Sequence, residues 1–119
     1  MKRYEELETK VIEWGRAKGI LDNSDPLRQL EKTQEELNET MLALIALRNM
    51  DHPVLGEELT LAREHILTEV KDGIGDMQVT IILLAELAGF NLVDCLGHSY
   101  DIISKRTGKM VNGFFVKDK

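Results

Sequence analysis

Residues 79–88, VTIILLAELA, are apolar except for Thr80 and Glu86. They continue a helical period that starts near residue 61, so the segment is apolar nearly all the way round its helix. A helix of that kind must be covered on every side, which places it at the centre of a bundle. The rest of the chain has to supply the bundle. At 119 residues it has material for one domain, residues 1–119, with a modest core.

The other elements follow from periodicity and punctuation. Residues 2–17 read as a first helix, with Tyr4, Leu7, Val11 and Trp14 at spacings of three and four and Gly19 just past its end. Asn23-Ser24-Asp25-Pro26 is a start signal, capping side chains followed by proline at the first helical position. The second helix runs to about residue 48, with Leu30, Leu37, Met41, Leu44 and Ile45 on its apolar side, and Asp51-His52-Pro53 interrupts the pattern. A third helix covers about 61–87. Gly89 ends it, and Asn91 and Asp94 cap a fourth that runs to about residue 105. Asn112-Gly113 then separates two short β-prone runs, the strongest local signal for a hairpin. The expected fold is all-α, a four-helix bundle closed by a short C-terminal β-hairpin.

Composition narrows the function classes. Lys and Arg number 15 against 21 Asp and Glu, a net charge of −6, which argues against broad nucleic-acid binding. Aromatic residues make up 5%, too few for a base-stacking platform. Cys95 is the single cysteine, so neither an intrachain disulfide nor a Cys-rich zinc site is expected. His52, His65 and His98 are scattered and show no metal spacing. No apolar run reaches the roughly 20 residues of a membrane span, and the N-terminal MKRYEELETK lacks a signal-peptide core. A cytoplasmic protein with no membrane partner is expected.

The acidic residues are not scattered. Gln29, Lys32, Glu36 and Glu39 recur at spacings of 3, 4 and 3 on the second helix, bordering its apolar side. Glu69, Asp72 and Asp76 form a stripe on the third, which turns apolar at Val79 and Leu83. Like charges three and four residues apart repel, and charges that enter a buried seam need partners. Gly73 and Gly75 lie among these acids, each costing a helix about 1 kcal/mol relative to Ala. Glycines there suggest close approach of a backbone, an ion or a ligand. Two facing acidic stripes form an oxygen cage suited to a hard divalent cation, Mg²⁺ first, with Mn²⁺ as a substitute.

Glu35-Glu36-Leu37-Asn38-Glu39, the segment from Gly75-Asp76 through Glu86, the turn Gly89-Phe90-Asn91 and the tail from Lys105 to Gly113 occur in that order. This ordered set resembles the MazG-like all-α nucleoside triphosphate pyrophosphohydrolases, whose signature is EExxE followed by ExxD on the next long helix. The resemblance runs from about residue 11 to 116. If Asp76 is the final Asp of that signature, the preceding Glu position holds Gly73, with Asp72 one residue earlier. If Glu69-Val70-Lys71-Asp72 is the ExxD, the apolar segment starts four residues late. The apolar segment favours Asp76 as metal ligand, then Asp72, with Glu69 third.

The resemblance implies Mg²⁺-dependent cleavage of a (deoxy)nucleoside triphosphate to monophosphate and pyrophosphate. It implies Glu36, Glu39, Glu69, Asp72 and Asp76 as metal candidates and Glu35 or Glu36 as the base. Lys32, Lys105, Arg106 and Lys109 would hold the outgoing pyrophosphate, Trp14 would wall the base pocket, and Gln29 would read a base edge, cap a metal-bound water or face solvent. Core packing of the first helix is the plainer role for Trp14, and a solvated surface the plainer one for each of the cations. The resemblance also implies a homo-dimer or homo-tetramer, in line with the all-round apolar third helix and with a hairpin too small to stand alone. The competing class is a non-catalytic helical module for protein contact or nucleotide sensing, kept open by Gly73. A DNA-binding regulator is disfavoured by the charge and by the lack of a basic recognition helix.

Overall fold

Proline and aspartate set the helix that begins at Pro26 in place. Asp25 accepts the amide of Arg28 at 2.8 Å through Oδ1, and Pro26 occupies the first helical position. The computed structural model describes residues 2–50 and 57–119. In chain order the elements are α1 (Lys2–Ala17), α2 (Ile20–Asn23), α3 (Pro26–Asn49), α4 (Glu57–Leu87), α5 (Leu92–Ile103), β1 (Gly108–Val111) and β2 (Phe114–Lys117). The architecture is helical with a C-terminal hairpin, as the period predicts. Two details differ. α2 is one added turn, too short to impose a period of its own. α4 starts at Glu57, ahead of the expected residue 61, because its polar first turn carries no apolar repeat. The break at Asp51-His52-Pro53 lies outside the described residues.

α3 and α4 form an antiparallel pair that organises everything else. Thr33 Oγ1 and Thr80 Oγ1 share a hydrogen bond of 2.7 Å, and Thr40 sits against Gly73, seven residues further along one helix and seven back along the other. A Cβ at Gly73 would collide with Thr40 Oγ1, so the glycine allows the two backbones to approach. The expected close approach is therefore present at Gly73. At Gly75 the position of a Cβ is open space.

The face that α3 turns to α4 corrects the sequence reading. Thr33, Glu36, Thr40 and Ala43 make the contact, with Thr40 and Ala43 buried. Leu30, Leu37, Met41, Leu44 and Ile45, expected to face the core, remain exposed. The two stripes are one residue apart, about 100° around the helix. Small side chains face α4 because close packing at Gly73 admits only small side chains; the large ones are left on the open side.

The core lies where the apolar run predicts: Ile82, Leu83 and Ala85 are buried, Leu83 to 2% exposure. α1 crosses this part of α4, and the Tyr4 hydroxyl donates to Gln78 Oε1 at 3.2 Å. Burial, then the charge of Glu8, raises the Tyr4 phenol above its ordinary pKa. Glu8 is itself buried at 4% exposure. Its Oε1 accepts from Asn91 Nδ2 at 3.1 Å, while Oε2 has no hydrogen-bond partner. Asn91 also caps α5 by accepting the Asp94 amide at 3.2 Å, so one amide group ties α1 to the start of α5. α5 leaves α4 at 99°, with Cys95 only partly buried.

The hairpin forms as Asn112-Gly113 predicts. Both residues have positive φ, 51° and 85°, as a type I′ turn requires. Gly108 pairs with Lys117, Lys109 with Val116, Met110 with Phe115 and Val111 with Phe114. Both strands are exposed along their whole length. Among the described residues, no single helix is long and apolar enough to cross a membrane.

Candidate active site

Beside the Thr40–Gly73 contact the α3–α4 pair opens a cavity of about 470 Å³. Glu36 and Glu39 line it from α3, and Glu69, Asp72 and Asp76 from α4. All five proposed metal candidates therefore share one cavity, because both stripes lie beside the contact seam of their helices. Thr40, Leu42, Ala43 and Ala46 complete the α3 wall. Among the described residues, no three acidic, His or Cys side chains are already gathered closely enough to hold one ion. The carboxylates line the cavity as separate groups. At its outer end His65 Nε2 lies 2.8 Å from Glu69 Oε1, one helical turn away.

Glu36 is the most enclosed of the paired acids, with its side chain 13% exposed. Burial pushes its carboxyl above the ordinary range, and the charges of Glu39 and Asp76 push the same way; Lys32 opposes them, and Glu35 adds a smaller push upward. Negative charge in the cavity thus exceeds what the protein itself neutralises. Carboxylate oxygens are the donor type that a hard divalent cation takes, but among the described residues no three of them converge on one point.

A second cavity of about 480 Å³ adjoins the first and shares Glu36 and Asp76 with it. Its walls are Trp14 of α1, Ile20 of α2, Arg28, Gln29 and Lys32 of α3, and Val79, Thr80 and Leu83 of α4. Trp14 is 47% exposed, so it lines the cavity rather than filling the core. Gln29 Nε2 donates to Ser24 Oγ at 3.1 Å, which orients the amide from the loop before α3. Lys32 Nζ stands 3.4 Å from Glu35 and 3.8 Å from Glu36. The hydrogen bond to Glu35, with its charge, raises the ammonium above its ordinary pKa.

The other proposed residues lie elsewhere. Glu35 lines neither cavity and engages Lys32 from the exposed side of α3. Lys105, Arg106 and Lys109 follow α5 and enter β1, exposed and outside both cavities. Three residues enter the site without having been singled out. Arg28 precedes Lys32 by one turn, so the i,i+4 spacing of Arg28, Lys32 and Glu36 was a signal for it. Thr40 and Thr80 reach the site because of how α3 and α4 face each other, for which the sequence carries no local signal. Compared with models of protein families, with curated proteins and with solved structures, the chain gives no match.

Proposed function

We propose that the chain hydrolyses (deoxy)nucleoside triphosphates to monophosphate and pyrophosphate with Mg²⁺, the activity implied by its resemblance to the MazG-like enzymes. One observation carries the reading: Glu36 and Asp76 belong to both cavities, so a carboxylate cage and a pocket walled by Trp14, Gln29 and Lys32 meet at two residues. Glu36, Glu39, Glu69, Asp72 and Asp76 would hold Mg²⁺, or Mn²⁺ in its place. When bound, the cation offsets phosphate charge and makes water more acidic. Trp14 offers a flat apolar wall to a base, and Gln29 offers amide hydrogen bonds to its edge. Lys32 and Arg28 meet the phosphate chain from the pocket side. Glu36, where the two cavities meet, would accept the proton of the attacking water when it is not itself bound to the cation. Glu35, paired with Lys32 outside the cavity, is the weaker choice. A water–phosphorus bond forms at the α-phosphate, the α–β bridging bond breaks, and pyrophosphate leaves.

The enzyme works in this reading as a cytoplasmic homo-dimer or homo-tetramer without nucleic-acid or membrane partners. Gly73 favours the second reading, a non-catalytic contact or nucleotide-sensing module, because it packs on Thr40 and brings no carboxylate to the cage. A panel of NTPs and dNTPs assayed for pyrophosphate, with and without Mg²⁺, separates the two. Mg²⁺-dependent release from at least one nucleotide supports hydrolysis, and no release from any supports the module.

A further inference from the structure

Different helices wall the two sides of the second cavity. Gln29 and Lys32 come from α3, and Trp14 comes from α1. α1 rests on α2 and α4, so the place of Trp14 follows from how α1 lies on them. Tyr4, Glu8 and Gly15, at spacings of four and seven, share one face of α1. Tyr4 bonds to Gln78 of α4, and Gly15 is buried against Leu83, where a Cβ would collide with Leu83 Cδ2. Trp14 is one residue from Gly15, about 100° round the helix, and so projects to the side of that face.

Glu8 lies between these two contacts and bonds beyond α4, to Asn91 at the start of α5. It is 4% exposed; Oε1 accepts the Asn91 amide at 3.1 Å, and Oε2 has no partner among the described residues. A buried carboxylate with one oxygen unpaired lowers stability, and an apolar side chain of similar size would avoid that loss. What the carboxylate adds is its hold on Asn91. Asn91 also accepts the Asp94 amide, so the bond fixes α1 to the first turn of α5. Two contacts along α4 leave a helix able to roll about the line between them, and a third off α4 stops the roll. Turning α1 by about 20° carries a ring about 6 Å from its axis through about 2 Å. A gap of about half that size already forfeits up to half of a van der Waals contact.

We infer that Glu8 is a positioning residue: through its bond to Asn91 it fixes the roll of α1 and holds the Trp14 ring over the second cavity. The inference rests on reading that cavity as the base pocket of a nucleotide. Glu36 and Asp76 stand on α3 and α4 and keep their places when α1 rolls, so the effect of Glu8 is confined to the base and spares the phosphates.

Trp14 is the single tryptophan of the chain, and its fluorescence reports on the pocket directly. The ligands are α,β-imido nucleoside triphosphates of each common base, and inorganic triphosphate, which has the phosphates and no base, all with Mg²⁺. Affinities are read by calorimetry. Two double variants preserve packing. Glu8→Met with Asn91→Ser removes the bond between α1 and α5 but keeps a capping hydroxyl and leaves no buried carboxylate. Glu8→Gln with Asn91→Asp reverses donor and acceptor and keeps both the bond and the cap. In the wild type at least one analogue should quench Trp14. The first pair should bind that analogue about fivefold or more weakly, the lower end of what stacking on one base contributes. Its affinity for inorganic triphosphate should not change, and its Trp14 emission should shift in the free protein. The second pair should behave as the wild type. A merely structural bond would lower the melting temperature of the first pair and move neither the emission nor the ratio of the two affinities. An unchanged ratio in the first pair, or an equal loss in both pairs, overturns the inference. If no analogue quenches wild-type Trp14, the base-pocket reading falls and the inference with it. Quenching that responds to the variants as stated, in a protein that releases no pyrophosphate from the parent nucleotides, upholds the inference and removes the hydrolase reading.

Discussion

Glu36 lines both cavities, and its neighbours Glu39 and Asp76 add charge of the same sign. Replacing it with Gln, or Asp76 with Asn, hardly changes shape but removes charge where the two cavities meet. Each variant should lose activity by on the order of 10²–10⁴-fold, with an unchanged far-ultraviolet circular dichroism spectrum. Full activity in either would remove that residue from the site. The raised pKa of Glu36 has a stability consequence in metal-free buffer. A carboxyl with a higher pKa in the folded chain binds its proton there first. Stability therefore rises as the pH falls through the raised value toward the ordinary 4.5, and it is lost again as the pH rises. The melting temperature in chelator should follow that slope, and Glu36→Gln should flatten it. An identical slope in the variant would show that Glu36 is not strained by its neighbours. Millimolar Mg²⁺ should raise the melting temperature at neutral pH, and Glu36→Gln should remove most of the shift. At this scale the sequence was informative, because helical spacing alone puts Glu36 with Glu39 and Glu69 with Asp72 and Asp76. Thr40 and Thr80 were less legible, since their place depends on which faces of α3 and α4 meet.

Between α3 and α4 the packing rests on small side chains, and Gly73 tests it. Ala at that position would ordinarily help a helix by about 1 kcal/mol. Here its Cβ collides with Thr40 Oγ1, so Gly73→Ala should destabilise by about 1–3 kcal/mol in denaturant titration. Adding Thr40→Ala removes the hydroxyl, and the double variant should recover much of the loss, a coupling of about 0.5–3 kcal/mol. Additive losses would mean the two residues do not touch. The elements themselves were largely readable: the cap at Asp25-Pro26, the apolar run of α4 and the Asn112-Gly113 turn each have a local cause. The burial of α3 was not. Its large apolar stripe obeys the helical period as well as the stripe that packs, and only the fit of Thr40 to Gly73 selects between them.

On the scale of the molecule, exposed apolar surface points to assembly. The 119-residue chain should scatter light as an even-numbered oligomer at micromolar concentration, and a 13.5 kDa monomer would contradict the account. Phe114→Ser with Phe115→Ser, two exposed positions of β2, should weaken that assembly while leaving the α3–α4 pair folded. An unchanged mass would show that the hairpin is not part of the interface. The sequence hinted at this through a helix apolar all round and a hairpin too small to stand alone. It did not indicate that α3 would hold an open groove. The central claim is the reaction, and phosphorus-31 magnetic resonance of a nucleoside triphosphate incubated with the protein and Mg²⁺ tests it most directly. The account predicts nucleoside monophosphate and pyrophosphate signals growing together, none without Mg²⁺ and none with Glu36→Gln. An unchanged triphosphate spectrum for every nucleotide, or the appearance of nucleoside diphosphate with orthophosphate, would contradict it.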